Sequence, residues 1–218
     1  MKAVVTGTSG GIGAAIAAEL RSRGWTVAGL DLADEKPVDV RDAAAVARAV
    51  DDVGPVDAAI SVAGYYEMLP IERIDPERWQ RMLHVHLGGL VNLTRATLPG
   101  MLDRRSGRIV AIASELAVGG GAEDAHYAAA KGAVLGFVRS LAAEVAPAGV
   151  RVNAVAPGPT DTPLLAPDSP WRAPDYLATL PVRRLTRPEE VALCVAWLLD
   201  EGTFVAGEVL NPNSGAVI

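Results

Sequence analysis

Short apolar runs alternate with helical stretches along the whole chain. Lys2–Thr6, residues 25–30, 56–61 and 108–113, Val150–Val155 and a last run at 208–211 are nearly continuously apolar and of strand length. Between them, residues 11–23, Ala43–Val53, 76–105, 124–145 and 188–200 carry their apolar residues at helical spacing. Asp75 followed by Pro76 reads as an N-cap and a first-turn proline, which sets the start of the longest of these helices. Strands that are apolar on both faces, separated by helices, predict a parallel sheet covered on both sides. The expected fold is therefore α/β, a single doubly wound Rossmann-type domain over residues 1–218.

Two stretches break the rhythm. Between Asp31 and Val38 lie only six residues, too few for a helical crossover between parallel strands, which takes roughly a dozen. The helix after the second strand is expected to be missing, and any strand at residues 38–40 to be very short or absent. The stretch from Pro157 to Pro188 is rich in proline yet carries Leu164, Leu165, Trp171 and Tyr176. A long loop with apolar and aromatic content inside a compact domain is expected to act as a substrate lid, over about residues 159–187.

Chemistry enters at the strand–helix junctions. Thr6-Gly7-Thr8-Ser9-Gly10-Gly11-Ile12-Gly13 follows the first strand and opens the first helix. Glycines at 7, 11 and 13 let backbone approach a pyrophosphate, and the helix N-terminus offers free N–H groups and positive dipole. Asp31 ends the second strand, where a carboxylate accepts hydrogen bonds from ribose hydroxyls and repels a 2′-phosphate; no lysine or arginine stands in the loop or directly after Asp31. The expected cofactor is NAD rather than NADP.

Tyr127 and Lys131 stand four residues apart in a predicted helix and share one face. A lysine beside a tyrosine favours phenolate, and the hydroxyl of Ser114, arriving from a strand end, can hold a substrate oxygen. Together they form a device for moving a proton to or from an alcohol or a carbonyl. On its own the spacing usually marks just a solvated helix face; its weight comes from the glycine loop, Asp31 and Ser114.

Composition narrows the field. Half of the 218 residues are hydrophobic and the formal net charge is −6, which argues against nucleic acid or an anionic membrane as partner. The one cysteine, Cys194, sits in an apolar helical run and is expected to be buried there; no disulfide framework is possible. No signal peptide or membrane span is expected, and the cytoplasm is the default compartment. His84 and His86 lie two apart and face different sides of a helix, so no metal site is expected.

These residues resemble the short-chain dehydrogenase/reductase family over nearly the whole chain. Thr6, Gly7, Ser9, Gly11, Ile12 and Gly13 match its cofactor loop, with Asp31 and Leu32 after the second strand. Asp39 and Val40 match the pair that contacts adenine, and Ser61-Val62-Ala63-Gly64 stands where the family usually has Asn-Asn-Ala-Gly. Asn153 and the run Pro157, Gly158, Pro159, Thr160, Asp161, Thr162 match the segment that seats the nicotinamide. Ser114, Tyr127 and Lys131 fall at the family's catalytic spacing. The resemblance implies hydride transfer between a nicotinamide and a carbinol or carbonyl carbon. In it Tyr127 is the acid/base, Lys131 its cationic neighbour and Ser114 the donor to the substrate oxygen. Tyr65, Tyr66, Met68 and Glu115, which follow strands, are expected to line the substrate pocket, and Trp171 and Tyr176 to close it.

Departures from the family are equally specific. Its fourth catalytic residue is an asparagine in the long helix; here His86 takes that place, either as a proton-relay member or as a local substitution at a helix bend. Asn213-Ser214-Gly215 replaces the usual Asp-Gly-Gly near the carboxyl end. The short second crossover is similar to that of dihydrodihydroxybenzoate dehydrogenases, a branch that oxidises a ring alcohol on a cyclohexadiene carboxylate. The expected function is thus NAD-dependent interconversion of a secondary, cyclic alcohol and its ketone. Two rivals are a ketoreductase acting on acyl thioesters, with Arg104, Arg105 and Arg108 as a carrier-protein docking patch, and a catalytically idle NAD-binding sensor. The resemblance also implies a homotetramer or homodimer, with helices 76–105 and 124–145 between subunits.

Overall fold

A computed structural model describes residues 1–217. Strands β1 (Lys2–Thr6) and β2 (Thr26–Leu30) flank helix α1 (Gly11–Ser22). Helix α2 (Ala43–Val53) leads to β3 (Ala58–Ser61). After it come α3 (Pro76–Leu83), a π turn at His84–Gly88, and α4 (Gly89–Asp103). Then follow β4 (Gly107–Ile112), the short α5 (Leu116–Gly119), α6 (Ala125–Val145), β5 (Val150–Val155), α7 (Pro174–Thr179), α8 (Pro188–Asp200) and β6 (Val209–Leu210).

All strand pairs are parallel, in the order β2-β1-β3-β4-β5-β6. Strand residues alternate between two cores, as the pleat requires. Val4, Ala59, Ile109, Ala111, Val152 and Ala154 pack under α2, α4 and α6. Ala3, Val5, Ala58, Ile60, Val110 and Val155 pack under α1 and α8. The chain leaves β1 to one side for β2 and returns to the other side for β3. A crevice therefore opens at the carboxyl ends of β1 and β3.

The expected doubly wound sheet is present, and the crossover helix after β2 is missing, as expected. Among the described residues neither helix nor strand lies between Asp31 and Asp42, so no strand forms at 38–40, in line with the expectation of a very short strand or none. The loop is nonetheless pinned. The Val38 amide donates to the Asp31 carbonyl (3.0 Å), and Val40 is buried against Gly89, where an added Cβ would come within 2.9 Å of Val40. The long helix at 76–105 is continuous but not uniformly α. Asp75 caps it by accepting from the Arg78 amide (2.8 Å), and at His84–Gly88 it widens into a π turn. Cys194 lies in α8 as expected but is only half-buried. No described helix is long and apolar enough to cross a membrane.

Candidate active site

The turn between β1 and α1 brings backbone, not side chains, to the crevice. Gly7 and Gly11 have φ of +73° and +53°, in the left-handed region open to glycine. A Cβ on Gly7 would also stand 2.9 Å from the Ala63 backbone. Helix α1 starts with no side-chain cap on its first amides. Thr6 behaves otherwise than expected. It is buried and its hydroxyl accepts from the Val62 and Ala63 amides (2.9 and 3.0 Å). Thr6 thereby ties the glycine loop to the chain after β3 and forms no part of the cleft wall.

A cleft of about 580 Å³ runs from this turn across the carboxyl ends of the strands. Gly7, Ser9, Gly11, Ile12, Gly13 and Asp31 line one end, and Ser114, Glu115, Tyr127, Lys131 and Trp171 the other. Ala63, Gly64, Tyr65, Tyr66 and His86 form one side; Pro157, Gly158, Thr160 and Thr162 form the opposite one. A smaller hollow of about 230 Å³ adjoins it, bounded by Asp31, Leu32, Asp39, Val40, Arg41 and Arg81. Leu32 is 65 % exposed at its rim. The sequence did not single out Arg41. Its guanidinium grips the Asp39 carboxylate (Nη2 to Oδ2, 2.6 Å).

Asp31 is held in place by its own turn and by the glycine turn after β1. Its carboxylate accepts from the Ser9 amide (2.9 Å) and the Ala33 amide (3.0 Å). Partial burial pushes its pKa up, but these backbone donors outweigh it and hold the carboxyl below its usual value.

The catalytic candidates converge. Ser114 stands just beyond β4, while Tyr127 and Lys131 project from the first turns of α6. Lys131 Nζ donates to the Ile112 carbonyl (2.7 Å) and lies 5.7 Å from the centre of the Tyr127 ring. Lys131 is buried without a carboxylate partner, and desolvation pushes its pKa down to about 7. Burial, together with the charge of Glu115, drives the Tyr127 phenol above its ordinary value; Ser114 beside it pulls the other way. The phenol in this chain alone is therefore an acid, and it needs added positive charge to become a base near neutral pH.

His86 sits in the π turn, its ring edge-on to Tyr127 (centroids 5.4 Å apart). Nε2–H donates to the Tyr65 carbonyl (2.9 Å), and Nδ1 is buried with no partner. Burial and then the charge of Lys131 push its pKa well below the usual histidine range, so the ring is neutral. The substrate end holds a polar chain. Trp171 Nε1 donates to the Tyr66 hydroxyl (3.0 Å), which donates to Asp124 Oδ1 (2.8 Å). Ser114 Oγ donates to Glu115 Oε2 (2.9 Å) and accepts from the Leu116 amide (3.2 Å).

Several expected roles shift. Met68 is 37 % exposed and lies outside the cleft wall. Tyr176 is outside the cleft lining; it packs edge-on against Trp171 (4.8 Å), and burial and then the charge of Glu115 push its phenol above the ordinary value. Asn153 is spent within the fold, donating to the Val205 carbonyl and accepting from the Glu208 amide (3.0 Å each), which joins β5 to the approach of β6. Arg104 and Arg105 bind the carbonyls of Val56 and Pro147, and Arg108 stands beside Trp25. All three arginines gather where β4 begins, at the opposite end of the sheet from the cleft. Asp124 and His126, which the sequence reading passed over, are both fully buried beside Tyr127. Their only sequence signal was a charged cap placed at the start of an otherwise apolar helix.

A glycine turn for a dinucleotide and a Ser–Tyr–Lys group in one crevice define an oxidoreductase of the nicotinamide-dependent kind. Residues 7–216 match the family model described as enoyl-(acyl carrier protein) reductase, and the chain belongs to the short-chain dehydrogenase/reductase family. It is 35 % identical to a 3-oxoacyl-(acyl-carrier-protein) reductase, FabG, of Vibrio cholerae, over 98 % of this chain and 96 % of that one. Among solved structures it is similar to the 3-oxoacyl-(acyl-carrier protein) reductase of Brucella melitensis. That match has a TM-score of 0.91 and 34 % identity and covers 98 % of this chain and 90 % of that one. It is likewise similar to the aldohexose dehydrogenase of Thermoplasma acidophilum, with a TM-score of 0.91 and 30 % identity over 98 % and 92 % of the two chains. The residues present fit a nicotinamide dinucleotide. Side chains are missing where a pyrophosphate would lie, amides at the start of α1 lack a cap, and the Asp31 carboxylate stands at the junction of the two hollows.

Proposed function

We propose that the chain interconverts a secondary alcohol and its ketone by hydride transfer, with NAD as the partner. The observation that carries this reading is the meeting of Ser114, Tyr127 and Lys131 in the same cleft as the glycine turn and Asp31. Gly7, Ser9, Gly11, Ile12 and Gly13 cradle the pyrophosphate, and Asp31 with Leu32 receives the adenosine ribose. Asp39 and Val40 bound the adenine hollow. Ala63, Gly64, Pro157, Gly158, Thr160 and Thr162 flank the nicotinamide half. When bound, the cofactor supplies the acceptor or donor of hydride and a positive charge in its oxidised form.

Ser114 donates a hydrogen bond to the substrate oxygen, where charge develops. Tyr127 takes the hydroxyl proton as the carbinol hydrogen departs with its electron pair, and returns that proton in the reverse direction. Lys131 would stabilise the phenolate that the chain alone disfavours, with the positive charge an oxidised cofactor would supply beside it. The neutral His86 holds the loop after β3 against α6 and so sets where Tyr127 stands. Residues 159–187 serve as a lid over the single domain. Arg172 ties this segment by an ion pair to Asp161 (2.7 Å), and Trp171 reaches across to Tyr66. The test is reduction of NAD, followed by absorbance, with a panel of cyclic secondary alcohols. Absence of turnover with any of them, while NAD still binds, sinks the reading and leaves the acyl-thioester reductase or an idle sensor.

A second reading, reduction of acyl-thioester ketones, is favoured by the likeness to 3-oxoacyl reductases. Docking of a carrier protein on Arg104, Arg105 and Arg108 does not suit it, because those residues lie at the far end of the sheet from the cleft. Oxidation of reduced cofactor by acetoacetyl thioesters, faster than by cyclic ketones, decides for it.

A further inference from the structure

The hydroxyl that must hold the substrate oxygen is already engaged. Ser114 has one proton, and it points to Glu115 Oε2 at 2.9 Å. Both residues belong to the cleft wall, and they are only 5 % and 6 % exposed. A substrate with a lone hydroxyl takes the Ser114 proton and leaves a buried carboxylate oxygen without a donor. That loss is greatest for the ionised carboxyl, which burial already disfavours by pushing its pKa up to about 7, so the comparison below is made above that pH. A substrate bearing a second hydroxyl on the neighbouring carbon repairs it in the same step. Two oxygens on adjacent carbons, held gauche, stand about one hydrogen-bond length apart. That spacing matches the distance between Ser114 Oγ and the Glu115 carboxylate.

Charge in the cleft points the same way. Among its described lining residues Lys131 is the one cation, and its ammonium already donates to the Ile112 carbonyl. Arg172, nearby in the lid segment, is spent on Asp161 and on the carbonyls of Leu165 and Thr162. On the far wall the Tyr66 hydroxyl is engaged by Asp124 and Trp171, and Asp124 adds a second carboxyl just behind it. An anionic group beside the reacting carbon finds carboxyl oxygens and no free cation.

Resting on the alcohol–ketone reading above, we infer that Glu115 selects the substrate: a neutral vicinal diol or α-hydroxyketone, whose second hydroxyl donates to the Glu115 carboxylate while its reacting oxygen takes the Ser114 proton. This departs from the dihydrodihydroxybenzoate branch, whose substrates carry a ring carboxylate.

The test compares kcat/KM for cis-cyclohexanediol and cyclohexanol, with NAD saturating, in the wild-type chain, Glu115→Gln and Glu115→Ala. The expected wild-type preference for the diol is roughly tenfold or more, the range of a hydrogen bond to a charged group. It narrows in Glu115→Gln, which keeps the shape and an accepting oxygen but not the charge, and falls to within about twofold in Glu115→Ala. A carboxylate placed on the diol ring lowers kcat/KM in the wild type. Equal use of diol and mono-alcohol by the wild type overturns the inference, as does a diol preference that survives in both variants or a faster reaction of the carboxylated diol. Failure of the underlying reading looks different: no alcohol in the panel reduces NAD at all.

Discussion

The imidazole of His86 occupies the space that a side chain at Gly64 would need; a Cβ built there would stand 2.8 Å from Nδ1. The same ring is anchored by its Nε2–H to the carbonyl of Tyr65, the next residue along. The loop after β3 and the π turn of the long helix are thus fitted to each other. Gly64→Ala is expected to destabilise the chain by about 1–3 kcal/mol, the usual consequence of overpacking. Removing the ring in His86→Ala should relieve most of that loss, so the double mutant is more stable than the sum of the singles predicts. Denaturant unfolding of the four proteins measures the coupling, and strict additivity would show that the two residues do not share this space.

Tyr127→Phe keeps the ring and its edge-on contacts with Tyr66 and His86 but removes the transferable proton. Turnover should fall by about 10²- to 10⁴-fold, the range for loss of a positioned acid/base. Cofactor affinity by calorimetry should stay within about threefold. Comparable losses in both quantities would point instead to a role of Tyr127 in holding the cofactor.

Lys131 gives the unliganded chain a pH-dependent weakness. Burial pushes its pKa down to about 7 in the fold, from an ordinary value of 10.5. Between those two values the unfolded chain holds a proton that the folded one lacks. Stability on this account therefore rises with pH across that window, and is lowest below its bottom. Lys131→Met, expected to abolish activity on the proposed mechanism, should raise the melting temperature without cofactor by roughly 5 °C or more at pH 7. The advantage over wild type should shrink toward pH 9. A difference that does not vary with pH would mean that the ammonium is solvated rather than buried.

Asp31→Asn removes the charge from the site assigned to the ribose hydroxyls. The ratio of kcat/KM with NAD to that with NADP is expected to fall by roughly 10- to 100-fold, through weaker NAD binding and less repulsion of a 2′-phosphate. An unchanged ratio would move the basis of cofactor choice elsewhere, with Arg41 and Arg81 at the adjoining hollow as the next candidates.

The strand–helix rhythm, the glycine turn and the spacing of Ser114, Tyr127 and Lys131 were legible because each rests on local pattern. A six-residue gap rules out a helical crossover by chain length alone, and the loop at 31–42 bears that out. What escaped depended on contacts distant in sequence. Thr6 and Asn153 have the composition of site residues, yet the fold uses their hydrogen bonds to join segments 56 and 52 positions away. The π turn at His84–Gly88 left no periodic trace, because one wide turn does not shift the apolar pattern of the helix around it. The three arginines near β4 are clustered in sequence, but which end of the sheet they occupy is a matter of topology. Met68 missed the cleft for the same reason: following a strand end places a residue near the opening, while its facing depends on the loop's path; Tyr176, in α7 of the lid segment, packs on Trp171 and does not line the cleft.

With neither strand nor helix between Asp31 and Asp42, β2 closes the sheet on one side, bonded only to β1. Its outward N–H and C=O groups form an open edge, a template on which another extended chain can add a strand. The protection is brevity and composition. The edge is five residues long, and after three more residues come Asp34, Glu35, Lys36 and Pro37, charges and a proline that resist continued pairing. A variant that replaced those four residues with β-branched ones would extend the edge and invite the protein to polymerise through it.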